Sequence, residues 1–338
     1  MKIIITGSGG LVGGTAVRYF SDLSCEIIGI DNNYRQNLFG DKASVFNDIS
    51  SFSSLKNYKH LNLDIRNKDL IFKTIKEVKP DVIIHCAGQP SHEKSSSIPY
   101  EDFEINTLGT MNLLEAMRTH SPNCSFIFTS TNKVYGENPN TLYEIYETPK
   151  RYDFKEFGID ENCPIDNTIH SPFGANKLSA DVIVQEYGKY YGLNTVCFRC
   201  GCITGKTHKG VEQHGFLSYL CKTFLKQQEY KIYGFKGKQV RDNIHAFDLV
   251  NAFHNYILSP RKGEFYNIGG GRENSCSILE SLDIMRNISN KNIKISFEEK
   301  RKGDHICYMT DNRKFQSHYP NWKKKFSLQM IFEEQMAV

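Results

Sequence analysis

Three glycines near the start of the chain have the spacing of a diphosphate-binding loop. In "TGSGGLVGG", Gly7, Gly10 and Gly13 lie between an apolar run that predicts a first β-strand and a predicted helix. The first glycine allows a tight turn, the second lets the backbone approach a pyrophosphate, and the third lets the helix pack closely. The helix N-terminus then offers backbone N–H groups and its dipole to the phosphates. The spacing predicts a dinucleotide site, with Leu11 and Val12 also touching the cofactor.

An acidic residue follows at the distance that such a site requires. Asp31 ends the second predicted strand, 18 residues after Gly13. Its carboxylate is suited to accept hydrogen bonds from an adenosine ribose and to repel a 2′-phosphate, which favours NAD over NADP. Arg35 weakens this inference, because a basic side chain could pair with the phosphate.

Ten cysteines are scattered along the chain without a secretory signal, so free thiols are expected. Three of them, Cys197, Cys200 and Cys202, lie close together in "CFRCGC". A zinc site would need a second ligand pair at similar spacing, and none is visible. We therefore expect no metal and small buried residues at the end of a strand, with a thiol near the active site as the alternative.

The elements that would position these residues alternate between strand and helix. The predicted strands are "KIIITG", "CEIIGID", "HLNLDI", "DVIIHCAG", "SFIFTST" and "NTVCFRCG", and the predicted helices cover residues 11–20, 67–77, 104–119 and about 172–191. Short connections between such elements imply right-handed crossovers. The pattern predicts an α/β fold with a Rossmann-like, doubly wound parallel sheet.

Two domains are expected. Residues 1–205 would form the dinucleotide-binding domain, and residues 206–338 mainly a smaller substrate-binding lobe over the carboxyl ends of the strands, with some segments returning to the first domain. The polar segment 136–170 is too long for an ordinary connection and predicts a functional loop on the substrate side. Its aromatic part, residues 143–158, is expected to cover the pocket.

Composition favours a small-molecule partner. The chain of 338 residues carries 42 basic and 38 acidic side chains, with no long run of either sign, which does not suggest nucleic acid or a membrane surface as partner. No apolar stretch approaches the roughly 20 residues that span a bilayer. Glycines at position 7 and beyond interrupt what would be the apolar part of a signal peptide. We expect a cytoplasmic protein.

Taken in order, several motifs resemble those of the extended short-chain dehydrogenase/reductases that act on nucleotide-activated sugars. These are "TGSGGLVGG", the pair Asp64 and Ile65, "HCAGQPSH", "TSTNKVYG" and the helix beginning "SPFGANK". The resemblance covers essentially the full length. Within this family, "STNKVYG", "EYGKYYGLNTVCFR", "HGFLSYL", "GKQVRDNIHAFDL" and "FYNIGGG" look most like the CDP-paratose (CDP-tyvelose) 2-epimerase group.

The resemblance implies roles for individual residues. Thr131 would hydrogen-bond the reacting sugar hydroxyl, Lys177 would hold the nicotinamide ribose, and Arg241 would contact the substrate diphosphate. Lys133 stands where 4,6-dehydratases carry an acidic residue, which argues against a dehydratase. Beyond the glycine loop, the implied cofactor contacts are Asp31, Asn32, Arg35, Asp64, Ile65, Ala87, Gly88, Gln89, Thr129, Lys177 and Arg199. The implied substrate contacts are Ser91, His92, Lys133, Tyr135, Cys200, His214, Arg241 and Arg301.

The implied reaction is epimerisation of a CDP-hexose or CDP-deoxyhexose at C2. NAD⁺ takes a hydride from the sugar carbon once a base removes the hydroxyl proton, and the resulting ketone turns and is reduced on its other face. The diphosphate, held in the C-terminal lobe, would anchor the substrate while the ketone turns. Relatives are usually dimers or tetramers through helices near residues 104–119 and 172–191, so a homodimer or homotetramer is expected.

One catalytic group is missing. Phe173 takes the place of the tyrosine whose phenol is the general base in this family, and losing a positioned base typically costs about 10²- to 10⁴-fold in rate. Three interpretations are open: an introduced change that traps substrate, a binding protein that has lost catalysis, or another group acting as the base. The candidates for such a group are Lys133, Cys200, Cys202, His92 and Tyr135.

Each of these residues also has an ordinary structural interpretation. His92 and His214 would be loop histidines satisfied by backbone or water, Tyr135 a packing residue, Lys133 a surface charge, and Arg301 the partner of an acidic neighbour. Alternative functions are a non-catalytic protein that binds NAD and a nucleotide sugar, and an enzyme of the same fold that performs 4-epimerisation or oxidation and reduction.

Overall fold

A computed structural model describes residues 1–337. The strands are β1 (Lys2–Thr6), β2 (Glu26–Ile30), β3 (Tyr58–Leu61), β4 (Val82–His85), β5 (Ser125–Thr131), β6 (Tyr146–Glu147), β7 (Tyr152–Asp153), β8 (Asn194–Cys200), β9 (Cys202–Thr204), β10 (Tyr230–Tyr233), β11 (Val240–His245), β12 (Glu264–Ile268), β13 (Ser275–Ser277), β14 (Ile295–Glu298) and β15 (Cys307–Tyr308).

The α-helices are α1 (Leu11–Asp22), α2 (Tyr34–Phe39), α3 (Phe46–Ser51), α4 (Lys68–Val78), α5 (His92–Ser95), α6 (Pro99–Phe103), α7 (Gly109–His120), α8 (Asn138–Thr141), α9 (Pro172–Lys189), α10 (Phe216–Leu225), α11 (Ala246–Leu258), α12 (Ile278–Ser289), α13 (Arg313–His318) and α14 (Leu328–Met336). A π-helical segment, Glu104–Leu108, joins α6 to α7. None of the helices in residues 1–337 is both long and apolar enough to cross a membrane.

The main sheet has seven strands in the order β12-β8-β5-β4-β1-β2-β3. Every neighbouring pair in it is parallel. The strand order reverses beside β1, and a reversal of this kind opens a crevice at the carboxyl ends of the strands, where open α/β sheets bind ligands. The prediction of a Rossmann-like α/β fold is confirmed.

Both faces of this sheet are buried because successive side chains of a strand point to opposite faces. Ile3 and Ile5 of β1 belong to a core shared with α1 and α11, whereas Ile4 belongs to a second core shared with α4, α7 and α9. All three isoleucines are fully buried. This two-sided burial explains why the strand sequences read as continuous apolar runs rather than alternating ones.

The C-terminal part adds a third core. Helices α10, α12 and α14 and strand β10 enclose it, with Phe224, Met285 and Phe332 fully buried. Strand β11 pairs with β13, β15 and β9 beside this core. Strand β12 and helix α11 instead join the main sheet and the α1 side. Residues beyond 205 thus contribute both to a separate core and to the main sheet with its α1-side core.

Two local expectations differ from the structure. Strand β3 covers Tyr58–Leu61 and not residues 60–65, because β3 is an edge strand whose partner β2 ends at Ile30, opposite Leu61. The segment 136–170 forms α8 and the β6–β7 hairpin and packs with Phe154 and Ile159 against Tyr308. None of its residues lines the main cavity, so the interpretation of residues 143–158 as a cover over the pocket is wrong.

Candidate active site

A cavity of about 490 Å³ lies at the carboxyl ends of the central strands. We call it the central cavity. It is lined by these predicted cofactor residues: Gly7, Gly10, Leu11, Val12, Gly13, Asp31, Asn32, Arg35, Asp64, Ile65, Ala87, Gly88, Gln89, Thr129 and Lys177. It is also lined by Thr131, Lys133, Phe173, His92, Cys200, His214, Arg241 and Arg301. Most residues proposed for cofactor and substrate therefore share one cavity.

The glycine loop is shaped by close backbone contacts. Gly7 has a φ of +67°, and a Cβ there would lie 2.7 Å from the backbone nitrogen of Ala87. A Cβ at Gly13 would overlap the carbonyl oxygen of Gly7. Gly10 is the N-cap of α1 and has no side chain to occupy the helix end. The N-terminus of α1 is therefore open to the cavity, as a site for a diphosphate requires.

Asp31 lies at the end of β2 beside this loop. Its Oδ2 accepts a hydrogen bond from the backbone N–H of Gly9 (2.9 Å), and its Oδ1 accepts one from Asn33 (2.8 Å). Burial raises the pKa of Asp31, against the lowering effect of these two donors. These two hydrogen bonds fix the carboxylate and leave further lone pairs on its oxygens, which could accept hydrogen bonds from ribose hydroxyls.

A segment of the C-terminal part closes the cavity beside Asp31. We call residues 205–215 the strap. Arg35 donates to the carbonyl oxygen of Lys209 (2.8 Å) and lies 3.3 Å from Nδ1 of His214, and Lys209 pairs with Asp48 at 2.5 Å. Burial lowers the pKa of Arg35 to about 10. The strap thus connects the C-terminal part to residues 35–48 at the end of the cavity beside Asp31.

At the other end of the cavity, Lys177 and Thr131 lie at the carboxyl edge of β5. Lys177 Nζ donates to the carbonyl oxygen of Thr129 (2.8 Å) and lies 4.0 Å from the centre of the Phe128 ring. Burial lowers the pKa of Lys177 to about 8. The hydroxyl oxygen of Thr131 accepts a hydrogen bond from the backbone N–H of Lys133 at 3.2 Å. An ammonium and a hydroxyl therefore face the same space.

Phe173 stands in the first turn of α9. Ser171 caps this helix by accepting from the backbone N–H of Gly174, and Pro172 occupies the first helical position, both of which favour a helix start there. The backbone N–H of Phe173 donates to Oγ of Ser95 in α5 at 3.1 Å. The ring is 8% exposed and lines the cavity, but it offers no atom that exchanges a proton.

Three charged residues, Lys133, Arg241 and Asp304, lie at the end of the central cavity that also holds Lys177 and Thr131. We call them the charged wall. Arg241 Nη2 donates to Oδ1 of Asp304 at 2.6 Å, and Lys133 Nζ lies 3.5 Å from the same oxygen. Burial raises the pKa of Asp304, but the charges of Arg241 and Lys133 outweigh it and hold that pKa well below its usual value. The wall carries one net positive charge, which suits a phosphate-bearing substrate.

Three predicted site residues do not line the central cavity: Ser91, Tyr135 and Arg199. Arg199 is buried in an ion pair with Asp181 (2.8 Å) and also donates to the hydroxyl of Tyr135 (3.1 Å). Tyr135 in turn donates to Asn267. Ser91 caps α5 and is fully buried. Their polar atoms are used within the protein, so these residues support the walls of the site.

Other residues of the site were missed from the sequence. Asp304 lies beside Arg301 in "RKGDH", but nothing local indicates that its partners are Arg241 and Lys133. Asp102 is fully buried and accepts hydrogen bonds from Gln89 (2.6 Å) and Asn176 (2.6 Å). Burial raises the pKa of Asp102, against the lowering effect of these donors. Asp102 thus joins the segment that follows β4 to α9, the helix that carries Phe173 and Lys177.

The cysteines near the site are free thiols. Burial raises the pKa of Cys202 to about 12 and raises that of Cys200 further. Neutral thiols are poor proton acceptors and poor metal ligands. Within residues 1–337, no cluster of three or more histidine, cysteine, aspartate or glutamate side chains is arranged to hold a metal ion.

Comparison with known proteins places this site in a family. The sequence pattern of the NAD dependent epimerase/dehydratase family matches residues 3–269. A CDP-paratose 2-epimerase of Salmonella typhi is 33% identical over 97% of this chain and 96% of its own length. A dTDP-glucose 4,6-dehydratase of Salmonella typhimurium is 27% identical over 96% of this chain and 88% of its own length.

A solved structure agrees in fold. The UDP-glucose 4-epimerase of Thermus thermophilus, crystallised in complex with NAD, has a TM-score of 0.81 at 23% identity, covering 100% of this chain and 98% of that one. At this identity the likeness shows the fold alone. Because the family pattern spans most of the sequence and the 2-epimerase relative is similar from end to end, the chain belongs to the NAD-dependent epimerase/dehydratase family.

Proposed function

We propose that the protein epimerises a CDP-activated hexose or deoxyhexose at C2 through a transient ketone. The observation that carries this proposal is that the glycine loop, Thr131, Lys177 and the charged wall line one cavity. The choice of CDP and of C2 rests on the resemblance to the CDP-paratose 2-epimerase, which is similar over nearly the whole chain.

The residues at the glycine loop fit NAD, the cofactor of this family. We assign the diphosphate to the open N-terminus of α1, the adenosine ribose to Asp31, and the nicotinamide ribose to Lys177. When bound, NAD accepts a hydride from a sugar carbon and returns it to the other face. Thr131 would hold the sugar hydroxyl by a hydrogen bond, since its own oxygen is fixed by the backbone of Lys133.

The substrate diphosphate would lie against Arg241. This guanidinium is fixed by its ion pair with Asp304 and by donation to its own chain at the Val240 carbonyl. Because the Arg241 side chain is already fixed, less side-chain entropy is lost when it binds a diphosphate. A substrate anchored by its diphosphate keeps its sugar in the cavity while the sugar turns. Lys133, engaged with Asp304, has no carboxylate to offer for the water elimination of a dehydratase.

A second function is favoured by one specific observation. Phe173 lies where the resemblance places a catalytic tyrosine, and a phenyl ring cannot take a proton. A non-catalytic protein that binds NAD and a nucleotide sugar would retain the cavity and lose this hydroxyl. Intact Thr131 and Lys177 beside Phe173 favour the epimerase.

The two functions are separated by incubating the purified protein with NAD and CDP-paratose or CDP-glucose and following the sugar by NMR. UDP-glucose and dTDP-glucose serve as matched controls for the nucleotide. We expect the C2 signals of a CDP-sugar to change configuration while the nucleotide stays attached. Tight binding of ligands with no change in any sugar, and no absorbance near 340 nm from reduced cofactor, would establish the binding protein instead.

A further inference from the structure

The proposed function leaves one proton without an acceptor. Oxidation of a sugar hydroxyl to a ketone requires that its proton move to a nearby base, and Phe173 has none to offer. The acceptor must line the central cavity near the start of α9, carry a free lone pair at neutral pH, and have no other partner for it. These three conditions can be tested on the candidate bases, which are Lys133, Cys200, Cys202, Tyr135 and His92.

Lys133 fails the condition of a free lone pair. Its Nζ donates to the carbonyl oxygen of Gly303 (3.0 Å) and lies 3.5 Å from the carboxylate of Asp304. Burial lowers the pKa of Lys133, but the negative charge of Asp304 opposes this by favouring the ammonium form. An ammonium has donors only and accepts no proton.

The thiols and Tyr135 fail as well. Cys200 donates its Sγ hydrogen to the Phe198 carbonyl at 3.3 Å, and burial keeps this thiol and that of Cys202 in the neutral form. Tyr135 is outside the cavity lining and bonds with Asn267 and Arg199. The two thiols line the cavity but are neutral and therefore poor proton acceptors, and Tyr135 does not line it.

His92 meets the positional condition. It is the first residue of α5, and Ser95, three positions later, accepts the backbone N–H of Phe173. Residues three apart on a helical turn share a face. The imidazole lines the central cavity, as Phe173 does, and packs against Gly303, whose carbonyl oxygen accepts a hydrogen bond from Lys133. It therefore lies between the start of α9 and the charged wall.

His92 also has an unused nitrogen. Neither ring nitrogen forms a hydrogen bond within residues 1–337, and because Nε2 is enclosed against Gly303, Nδ1 is the nitrogen left for a substrate. Burial, followed by the charges of Lys133 and Arg301, lowers the pKa of His92 to about 4, with Asp304 acting in the opposite direction. The imidazole is thus neutral at pH 7, with one nitrogen that donates and one that accepts.

We propose that His92 exchanges the proton with the reacting sugar hydroxyl in place of the absent phenol. The inference rests on the proposed epimerase function. The O–H bond of the sugar breaks and an N–H bond forms on the imidazole. The oxygen keeps the electron pair, which becomes the second bond of the carbonyl as the carbon is oxidised. Asp304 stabilises the imidazolium, and the same proton returns to the oxygen when the ketone is reduced.

The test compares four forms of the full-length protein loaded with NAD: wild type, His92→Gln, Phe173→Tyr, and the double variant. We expect His92→Gln to lower kcat by about 10²- to 10⁴-fold, and Phe173→Tyr alone to change kcat less than tenfold. In the double variant, the new phenol should restore kcat at least tenfold over His92→Gln. His120→Gln is the matched control, since His120 ends α7 against Phe72 and does not line the cavity.

Two readouts do not depend on turnover. Calorimetric affinities for NAD and CDP should be unchanged by His92→Gln. The ¹⁵N chemical shifts of the His92 ring, assigned by comparison with His92→Gln, should report a neutral imidazole at pH 7. An imidazolium at pH 7, a kcat of His92→Gln within tenfold of wild type, a parallel loss of ligand affinity, or no recovery in the double variant would each overturn the role of His92.

Failure of the proposed function has a different outcome. If the wild-type protein converts none of the CDP-sugars, the epimerase proposal fails before any variant is compared, and the role of His92 falls with it. If the wild type is active and His92→Gln is equally active, the epimerase proposal stands and only the role of His92 is withdrawn.

Discussion

Lys177 carries its positive charge in a buried position, and this burial affects the stability of the folded protein. Its neighbours are the Thr129 carbonyl and the Phe128 ring, and no acidic side chain lies within ion-pair distance of it in the described residues. Burial lowers its pKa from about 10.5 to about 8. In the folded, cofactor-free protein the charge is therefore a cost that NAD, through its ribose hydroxyls, would offset.

We predict that Lys177→Met stabilises the cofactor-free protein at pH 7, by up to about 3 kcal/mol from the size of the pKa shift. Below pH 8 both folded and unfolded wild type bind the proton, so the full cost is present. Between about pH 8 and 10.5 only the unfolded state keeps the proton on Lys177, so the stability of the wild type rises with pH. The gap, which is the difference in unfolding free energy between Lys177→Met and the wild type, therefore narrows. Urea unfolding at pH 7 and pH 9.5 measures this. Lys56→Met, at an exposed lysine, is the control, and a gap that stays constant would contradict the prediction.

Among the elements, the strap connects parts of the protein that are far apart in sequence. Lys209 pairs with Asp48 and also donates to the carbonyl of Ser44, while Arg35 donates back to the strap at Lys209. The strap also meets the substrate side, since Ser91 donates to the Gln213 carbonyl at 3.4 Å. A cofactor beneath the strap could leave only after some of these contacts break.

We predict that Lys209→Ala speeds the release of NAD about fivefold, because a half-buried ion pair of this kind is worth about 1 kcal/mol. Release is measured by following loss of bound NAD after rapid dilution into an enzyme that consumes free NAD. Lys231→Ala is the matched control, since Lys231 forms an exposed pair with Glu298 away from the strap. Equal release rates for the two variants would show that the strap does not hold the cofactor.

For the whole molecule, the helices expected to form subunit contacts carry exposed apolar side chains. Tyr100 and Leu108 lie along the helical run from α6 to α7, and Val182 and Tyr190 lie on or next to α9. Tyr190 is 79% exposed and Tyr100 is 76% exposed. Apolar side chains grouped on adjacent helices are typical of surfaces that pair with another protein.

We predict that the protein is a homodimer or homotetramer and that Leu108→Glu combined with Val182→Glu converts it to a smaller species. The two carboxylates would be buried without partners in the interface, which costs several kcal/mol. Light scattering coupled to size-exclusion chromatography gives the mass. Leu258→Glu, at a position 72% exposed at the end of α11, is the control. A monomeric wild type, or a double variant of unchanged mass, would rule out this interface.

The sequence by itself determined the nucleotide-binding half of the protein. Strands β1, β2, β5 and β8 begin and end within one residue of their predicted bounds, and β4 ends three residues earlier than predicted. The glycine loop and these strands follow from the sequence because a tight turn, a helix start and a buried parallel strand depend on neighbours close along the chain. Lys177, Thr131 and Phe173 were found through motifs that lie at the ends of these same elements. Their placement beside one cavity follows from the parallel sheet, whose carboxyl ends all meet at one edge.

Only the tertiary structure decided which polar groups at that edge remain free. Lys133 and Asp304 are 171 positions apart, and Ser95 meets Phe173 across 78 positions. Arg199 and Tyr135 were expected in the site but satisfy each other and Asp181 inside the protein. Whether a buried polar group has a partner depends on side chains that folding brings from distant segments, and no local spacing encodes that. For this reason the sequence left His92 as one of several candidate bases, and the structure separates it from the others.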